Sequence, residues 1–138
     1  MDTKPLPIGM VLIPGIRSLA YVDAFRSLGY HPAEVILLSG DASLLPELRT
    51  EGKKFNYQEN FFDIELDLEC FLLESKVNVS RVETTSINEP LVSAALSASK
   101  LSHFIFTGGG IVSEQTLASG KELIHIHPGA LPAYRGST

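Results

Sequence analysis

Apolar and polar positions along this chain of 138 residues change period several times. Residues 8–13 (IGMVLI) form a nearly continuous apolar run between Pro7 and Pro14-Gly15. That pattern predicts a strand buried on both faces of a parallel sheet. Ser18 is placed to cap the helix that follows, in which Leu19, Val22, Phe25 and Leu28 recur at helical spacing until Gly29. Residues 33–38 (AEVILL) predict a second buried strand, closed by Ser39-Gly40-Asp41. Strand, helix and strand within about thirty residues make a βαβ unit with a right-handed crossover.

The middle of the chain is patterned less sharply. Residues 41–60 read as a broken surface helix and loop. From Phe62 to Leu68 apolar residues alternate with acids, which predicts extended chain over 61–66, and Asp67 to Ser75 then fits a helix. Residues 79–84 predict a short strand. Asn88 is a candidate N-cap with Pro90 in the first turn, and Leu91, Ala94, Ala95 and Ala98 are expected to share one helical face. Further on, residues 103–107 (HFIFT) predict a strand, Gly108-Gly109-Gly110 a loop, 113–119 a short helix and 123–127 (LIHIH) a last strand. Repeated β-then-α order predicts an α/β fold with an open, mostly parallel sheet and helices on both faces.

Composition narrows the class. Hydrophobic residues make up 44% and charged residues 20%, the balance of an ordinary globular chain rather than a disordered, collagenous or coiled-coil one. The length fits one domain over residues 1–138. A lone cysteine, Cys70, excludes an internal disulfide framework and a multi-cysteine zinc module. The net charge of −5 argues against a nucleic-acid-coating surface, though a local basic groove stays open. The apolar run near the N-terminus is shorter than a signal-peptide core and far short of a membrane span, so a cytoplasmic protein with no membrane association is expected. Oligomeric state is not encoded in any recognisable pattern.

In open parallel sheets ligands bind beyond the carboxyl ends of the strands. Three loops leave such ends: 14–17, 108–112 and 128–138. The first, Pro14-Gly15-Ile16-Arg17-Ser18, runs into a helix N-terminus, whose free N–H groups and dipole suit a phosphate or carboxylate, with Arg17 supplying charge. It lacks both G-x-G-x-x-G and the P-loop pattern, which counts against a plain NAD-binding domain. His125 and His127 stand two apart on the last strand, hence on one side and about 7 Å apart. Imidazoles there can stabilise an oxyanion or move a proton, and can ligate a metal if a third ligand joins them. By spacing alone an organic active site ranks first, a metal site second and a structural pair third. Tyr134 and Arg135 sit on a loop shaped by Pro128, Gly129, Pro132 and Gly136.

The segment IHIHPGALPAYRG resembles the signature loop of the folate-dependent formyltransferases, the family of methionyl-tRNA, glycinamide-ribonucleotide and amino-sugar formyltransferases. His127-Pro128, Leu131-Pro132 and Arg135-Gly136 carry the match, and FIFTGGGIVSEQTL resembles the strand and loop that line that family's folate pocket. The resemblance implies a Rossmann-like domain that transfers a formyl group from 10-formyltetrahydrofolate to an acceptor amine, with no metal. It implies His127 as a hydrogen-bond donor to the tetrahedral oxyanion. It assigns Gly108, Gly109, Gly110, Ile111 and Val112 to the pterin edge of the cofactor. His125 stands where the family has Asn; its single N–H can replace the amide with altered reach. The family's catalytic Asp falls beyond Thr138, so the domain is expected to be incomplete at its C-terminus and this chain alone to have little or no activity. Arg17 and Arg135, with Pro14, Gly15 and Ser18, suggest an anionic small-molecule acceptor such as a nucleotide sugar or a phosphate-bearing amine; a tRNA acceptor stays open. Two other classes compete: a non-catalytic folate or nucleotide binding module, and a metal-dependent hydrolase using His125 and His127.

Overall fold

A computed structural model describes residues 2–39, 45–56 and 61–126. Five strands form one sheet in which every pairing is parallel: β1 (Lys4–Leu12), β2 (Tyr30–Leu38), β3 (Asn78–Val82), β4 (His103–Phe106) and β5 (Glu122–Ile124), in the order β3-β2-β1-β4-β5. The order reverses at β1. From there β2 and β3 build outward on one side and β4 and β5 on the other, a Rossmann-like α/β arrangement with its switch point between β1 and β4.

Alternate residues of the buried strands feed two cores. On one face Met10, Leu12, Val35, Leu37 and Ile105 pack with Leu19 and Val22 of α1 (Ile16–Ser27) and with Phe71 and Leu72 of α3 (Leu68–Glu74). On the other, Val11, Ile36, Leu38, Val82, Phe104 and Phe106 pack with Val92 and Leu96 of α4 (Pro90–Ala98). Helices thus cover both faces, as the continuous apolar runs predict. Between α1 and α3 lies α2 (Leu45–Asn56), whose Gly52 faces Ile16 and Ile64. The short α5 (Glu114–Leu117) follows β4 and is capped by Ser113, whose Oγ accepts from the Thr116 N–H. The remaining residues of the 41–60 stretch lie outside the described residues.

β1 begins earlier than the apolar run suggests, at Lys4. Its first residues, Lys4 to Leu6, pair only with Tyr30 to Pro32 of β2, and β4 joins on the other side from Gly9 onward. A strand edge without a second neighbour tolerates prolines, which explains Pro5 and Pro7. The Phe61–Leu66 segment is not a strand. Ile64 and Leu66 do turn inward, while Asp63 and Glu65 face out. The backbone bonds, however, go to a turn and to side chains: Leu66 N–H donates to Asp63 O, Glu65 N–H to the Asp63 carboxylate and Asp63 N–H to Asp23 Oδ2. Asp67 then caps α3, accepting from the Cys70 N–H at 3.0 Å.

Two helix readings also change. α1 starts at Ile16 with Gly15 as N-cap, so Ser18 lies inside the helix and does not cap it. Leu28 falls beyond its end and is exposed. In α4 the buried face is Val92, Ser93 and Leu96, and Leu91 points to solvent. The helix is apolar nearly all round, so spacing alone does not select a face.

Candidate functional site

The carboxyl ends of β1, β4 and β5 lie side by side. Val11 is level with Phe106, and Ile105 is level with Ile124. The loop after β1 and the loop after β4 therefore leave the sheet together at the switch point, where parallel sheets bind ligands.

A buried hydroxyl pair ties the two loops. Ser18 Oγ donates to the Ile13 carbonyl and lies 2.8 Å from Thr107 Oγ1. Thr107 Oγ1 also accepts the Ile13 N–H at 3.2 Å, while the Thr107 N–H donates to Val11 O at 3.1 Å. Both side chains are almost fully buried, so each bond is made in a low dielectric where an unpaired polar group would be costly. Ser18, expected as a substrate contact, is thus a strut between β1, α1 and β4. Thr107 escaped the sequence reading; the signal was a polar residue closing an otherwise apolar strand.

The five residues assigned to the cofactor edge divide into anchors and tip. Gly108 is buried, and a Cβ placed there would meet Ile13 Cδ1 at 2.2 Å and the Phe106 ring at 2.6 Å, so this glycine serves close packing. Val112 packs against the α4-side core. Between them Gly109 and Gly110 stand exposed with open space around their α-carbons, Gly110 has φ +95°, and Ile111 is 89% exposed. A positive φ of this kind suits glycine and turns the chain sharply.

One side chain holds the tip from behind. Asn88 does not cap α4, whose N-cap is Glu89. Its Nδ2 donates to the Ile111 carbonyl at 2.7 Å, and its Oδ1 accepts the Ser113 N–H at 2.8 Å. Thr116 Oγ1, fully buried, lies 3.1 Å from the same Oδ1 and 3.3 Å from the Ile87 carbonyl.

His125 stands just beyond β5, exposed, with Nδ1 at 3.3 Å from the Phe106 carbonyl and its ring 6.1 Å from the Phe106 ring. It therefore sits at the carboxyl end of β4, beside the origin of the glycine loop. His127, Arg135 and the rest of the motif loop lie outside the described residues. Among the described residues no three His, Cys, Asp or Glu side chains converge to hold a metal ion.

Pro14 and Gly15 open onto a cavity of about 340 Å³ on the β2 side, floored by Leu19, Leu37 and Leu68. Arg49, Glu65, Asp67 and Glu69 form its polar rim. Each of these is held by a neighbour. Arg49 donates to the carbonyls of Ile64 and Leu66 at 3.3 and 3.0 Å, Glu65 pairs with Lys53, Asp67 caps α3 and Glu69 pairs with Arg81 at 2.9 Å. Hydrogen bonding to Lys53 holds the exposed Glu65 carboxyl below the usual glutamate range. Arg17 is half-buried in the first turn of α1. No helix among the described residues is long and apolar enough to cross a membrane. The chain matches no protein-family model and no curated protein.

Proposed function

We propose that this chain is a formyltransferase-like domain that passes a formyl group from 10-formyltetrahydrofolate to an acceptor amine. The observation that carries the reading is the motif His127-Pro128, Leu131-Pro132, Arg135-Gly136, which begins two residues after His125. It is supported by the position of His125 at the carboxyl end of β4, next to an exposed Gly109–Ile111 tip able to receive a flat heterocycle through its backbone groups. The acceptor nitrogen attacks the formyl carbon, and the carbonyl oxygen becomes a tetrahedral oxyanion. His127 donates a hydrogen bond to that oxygen, the dominant stabilising effect in acyl transfer, and His125, in the place of the family's Asn and with Nδ1 turned to the Phe106 carbonyl, adds a second from Nε2 when its ring carries both protons. The bond from the formyl carbon to N10 then breaks, N10 takes a proton, and the former amine loses one. Arg17 and the start of α1 favour an acceptor that carries an anionic group, phosphate-bearing or a nucleotide sugar. The exposed free thiol of Cys70 suits a reducing, cytoplasmic compartment.

The test is consumption of 10-formyltetrahydrofolate by the protein carrying this chain, with a panel of phosphate-bearing amines and amino sugars. Turnover should fall by about 10²–10³-fold in His127→Ala, the range for loss of one oxyanion donor. His125→Asn should keep activity. Absence of both donor binding and turnover with every amine tested refutes the reading. The cavity beside Pro14 and Gly15 favours a second reading, a non-catalytic folate or nucleotide binding module. Donor binding without turnover in any acceptor assay would select it.

A further inference from the structure

Resting on the formyl-transfer reading, we infer that Asn88 is a positioning residue for the formyl donor: its side-chain amide sets the conformation of the Gly109–Ile111 tip that the cofactor meets. Nδ2 donates to the Ile111 carbonyl and Oδ1 accepts the Ser113 N–H, so one carboxamide bonds the residues on either side of Val112 as a neighbouring strand would. This arrangement does two things. It occupies the Ile111 carbonyl while the Ile111 side chain stays 89% exposed. It also stiffens a segment whose own residues cannot, since Gly109 and Gly110 have open space where a side chain would pack and Gly110 has a positive φ.

Asn88 is itself fixed from two sides. Its N–H donates to Ser86 Oγ at 3.1 Å, and its Oδ1 meets the hydroxyl of the fully buried Thr116. The chain from Thr116 through Asn88 to Ile111 therefore joins the α4-side core to the rim of the crevice. Removing the amide leaves the Ile111 carbonyl and Ser113 N–H to water and releases the tip. A ligand that needs one tip conformation then binds less tightly by the fraction of molecules that hold it.

Two variants and two measurements test this in the intact chain. Asn88→Asp is nearly isosteric but has no donor, and its carboxylate faces the Ile111 carbonyl; Asn88→Ala removes both bonds. Amide hydrogen exchange without ligand should speed up at residues 109–113 by about tenfold in both. Titration calorimetry with 10-formyltetrahydrofolate should show Kd raised about tenfold in both, Asn88→Asp at least as strongly as Asn88→Ala, with the melting temperature little changed. A side chain that merely filled space would leave Asn88→Asp like the wild type, and that result overturns the proposal. So does unchanged Kd in both variants when the wild type binds, which leaves the formyl-transfer reading standing. A wild type that fails to bind the donor removes both, even if exchange at 109–113 responds.

Discussion

Gly9→Ala is the substitution whose cost can be worked most directly from the structure. Gly9 lies within β1, level with Phe104 of β4 and Glu34 of β2. A methyl group there would stand 2.2, 2.5 and 2.7 Å from Cε1, Cδ1 and Cζ of Phe104. Carbon atoms rest at about 3.5–4.0 Å, so the ring must retreat by more than about 1 Å. Phe104 is fully buried among Val11, Leu96, Phe106 and their neighbours, so the ring cannot swing out to solvent without disturbing them. Overpacking of this kind costs about 1–3 kcal/mol, and the directness of the clash puts Gly9 at the upper end. Replacing a strand glycine returns about 0.5–1 kcal/mol through the lower entropy of the unfolded chain. The net expectation is a loss of about 2 kcal/mol. For 138 residues the unfolding entropy is about 0.29 kcal/mol/K, so the melting temperature should drop by about 7 °C. Urea unfolding followed by far-ultraviolet circular dichroism on wild type, Gly9→Ala, Phe104→Leu and the double variant measures the coupling. Phe104→Leu alone should cost about 1–2 kcal/mol and should make room for the methyl, so Gly9→Ala in that background should be nearly neutral. Additive costs, within about 0.5 kcal/mol, would show that the Phe104 ring is not what makes Gly9 necessary.

Two further outcomes follow from charged groups. Asp23 accepts two bonds from Arg26, at 2.9 and 2.6 Å, and one from the Asp63 N–H at 2.8 Å, and Arg26 also reaches Asp63 at 3.1 Å. Asp23→Asn keeps the shape but loses the charge, and should cost about 1–2 kcal/mol after allowance for the one-third exposure of Arg26; urea midpoints in low and high salt check it, with the difference shrinking in 1 M NaCl. For Glu65, whose carboxyl Lys53 holds below the usual range, the folded form binds its proton less readily than the unfolded chain. That contribution is present above the ordinary glutamate pKa and is lost as pH falls below about 4.3 and through the folded value. Lys53→Ala should return the Glu65 titration midpoint, read by NMR, to the ordinary range; an unmoved midpoint would break the link between the two residues.

The sheet was legible because its inner strands carry a one-dimensional signal. Residues 8–13, 35–38 and 104–106 are apolar without alternation, the pattern of a doubly covered strand. The segment 61–66 misleads because inward and outward alternation reports burial, whereas a strand needs a partner ladder, and here Asp23 takes the bond a neighbour would make. Ser18 and Asn88 mislead in the same way. Both types favour helix starts because a short polar side chain can reach a nearby backbone N–H. The same reach lets them bond residues that fold beside them but lie 89 and 25 positions away. No local pattern distinguishes the two uses. The glycine loop was visible as a loop, but the split between a packed Gly108 and an open Gly109-Gly110 depends on Ile13 and Phe106, which only the folded chain brings together.

The reversal of strand order at β1 also dictates when the crevice can form. The pairing of β1 with β2 joins neighbours in sequence, but Thr107 meets Val11 across 96 positions. Closing so long a loop is slow, and until it happens β1 presents a bare edge that includes Gly9 to Val11. An unpaired edge of that kind is a template for pairing with another chain. The same β1–β4 seam that gathers the candidate site thus joins the strands farthest apart in sequence, and its edge stays open to misassociation until they meet.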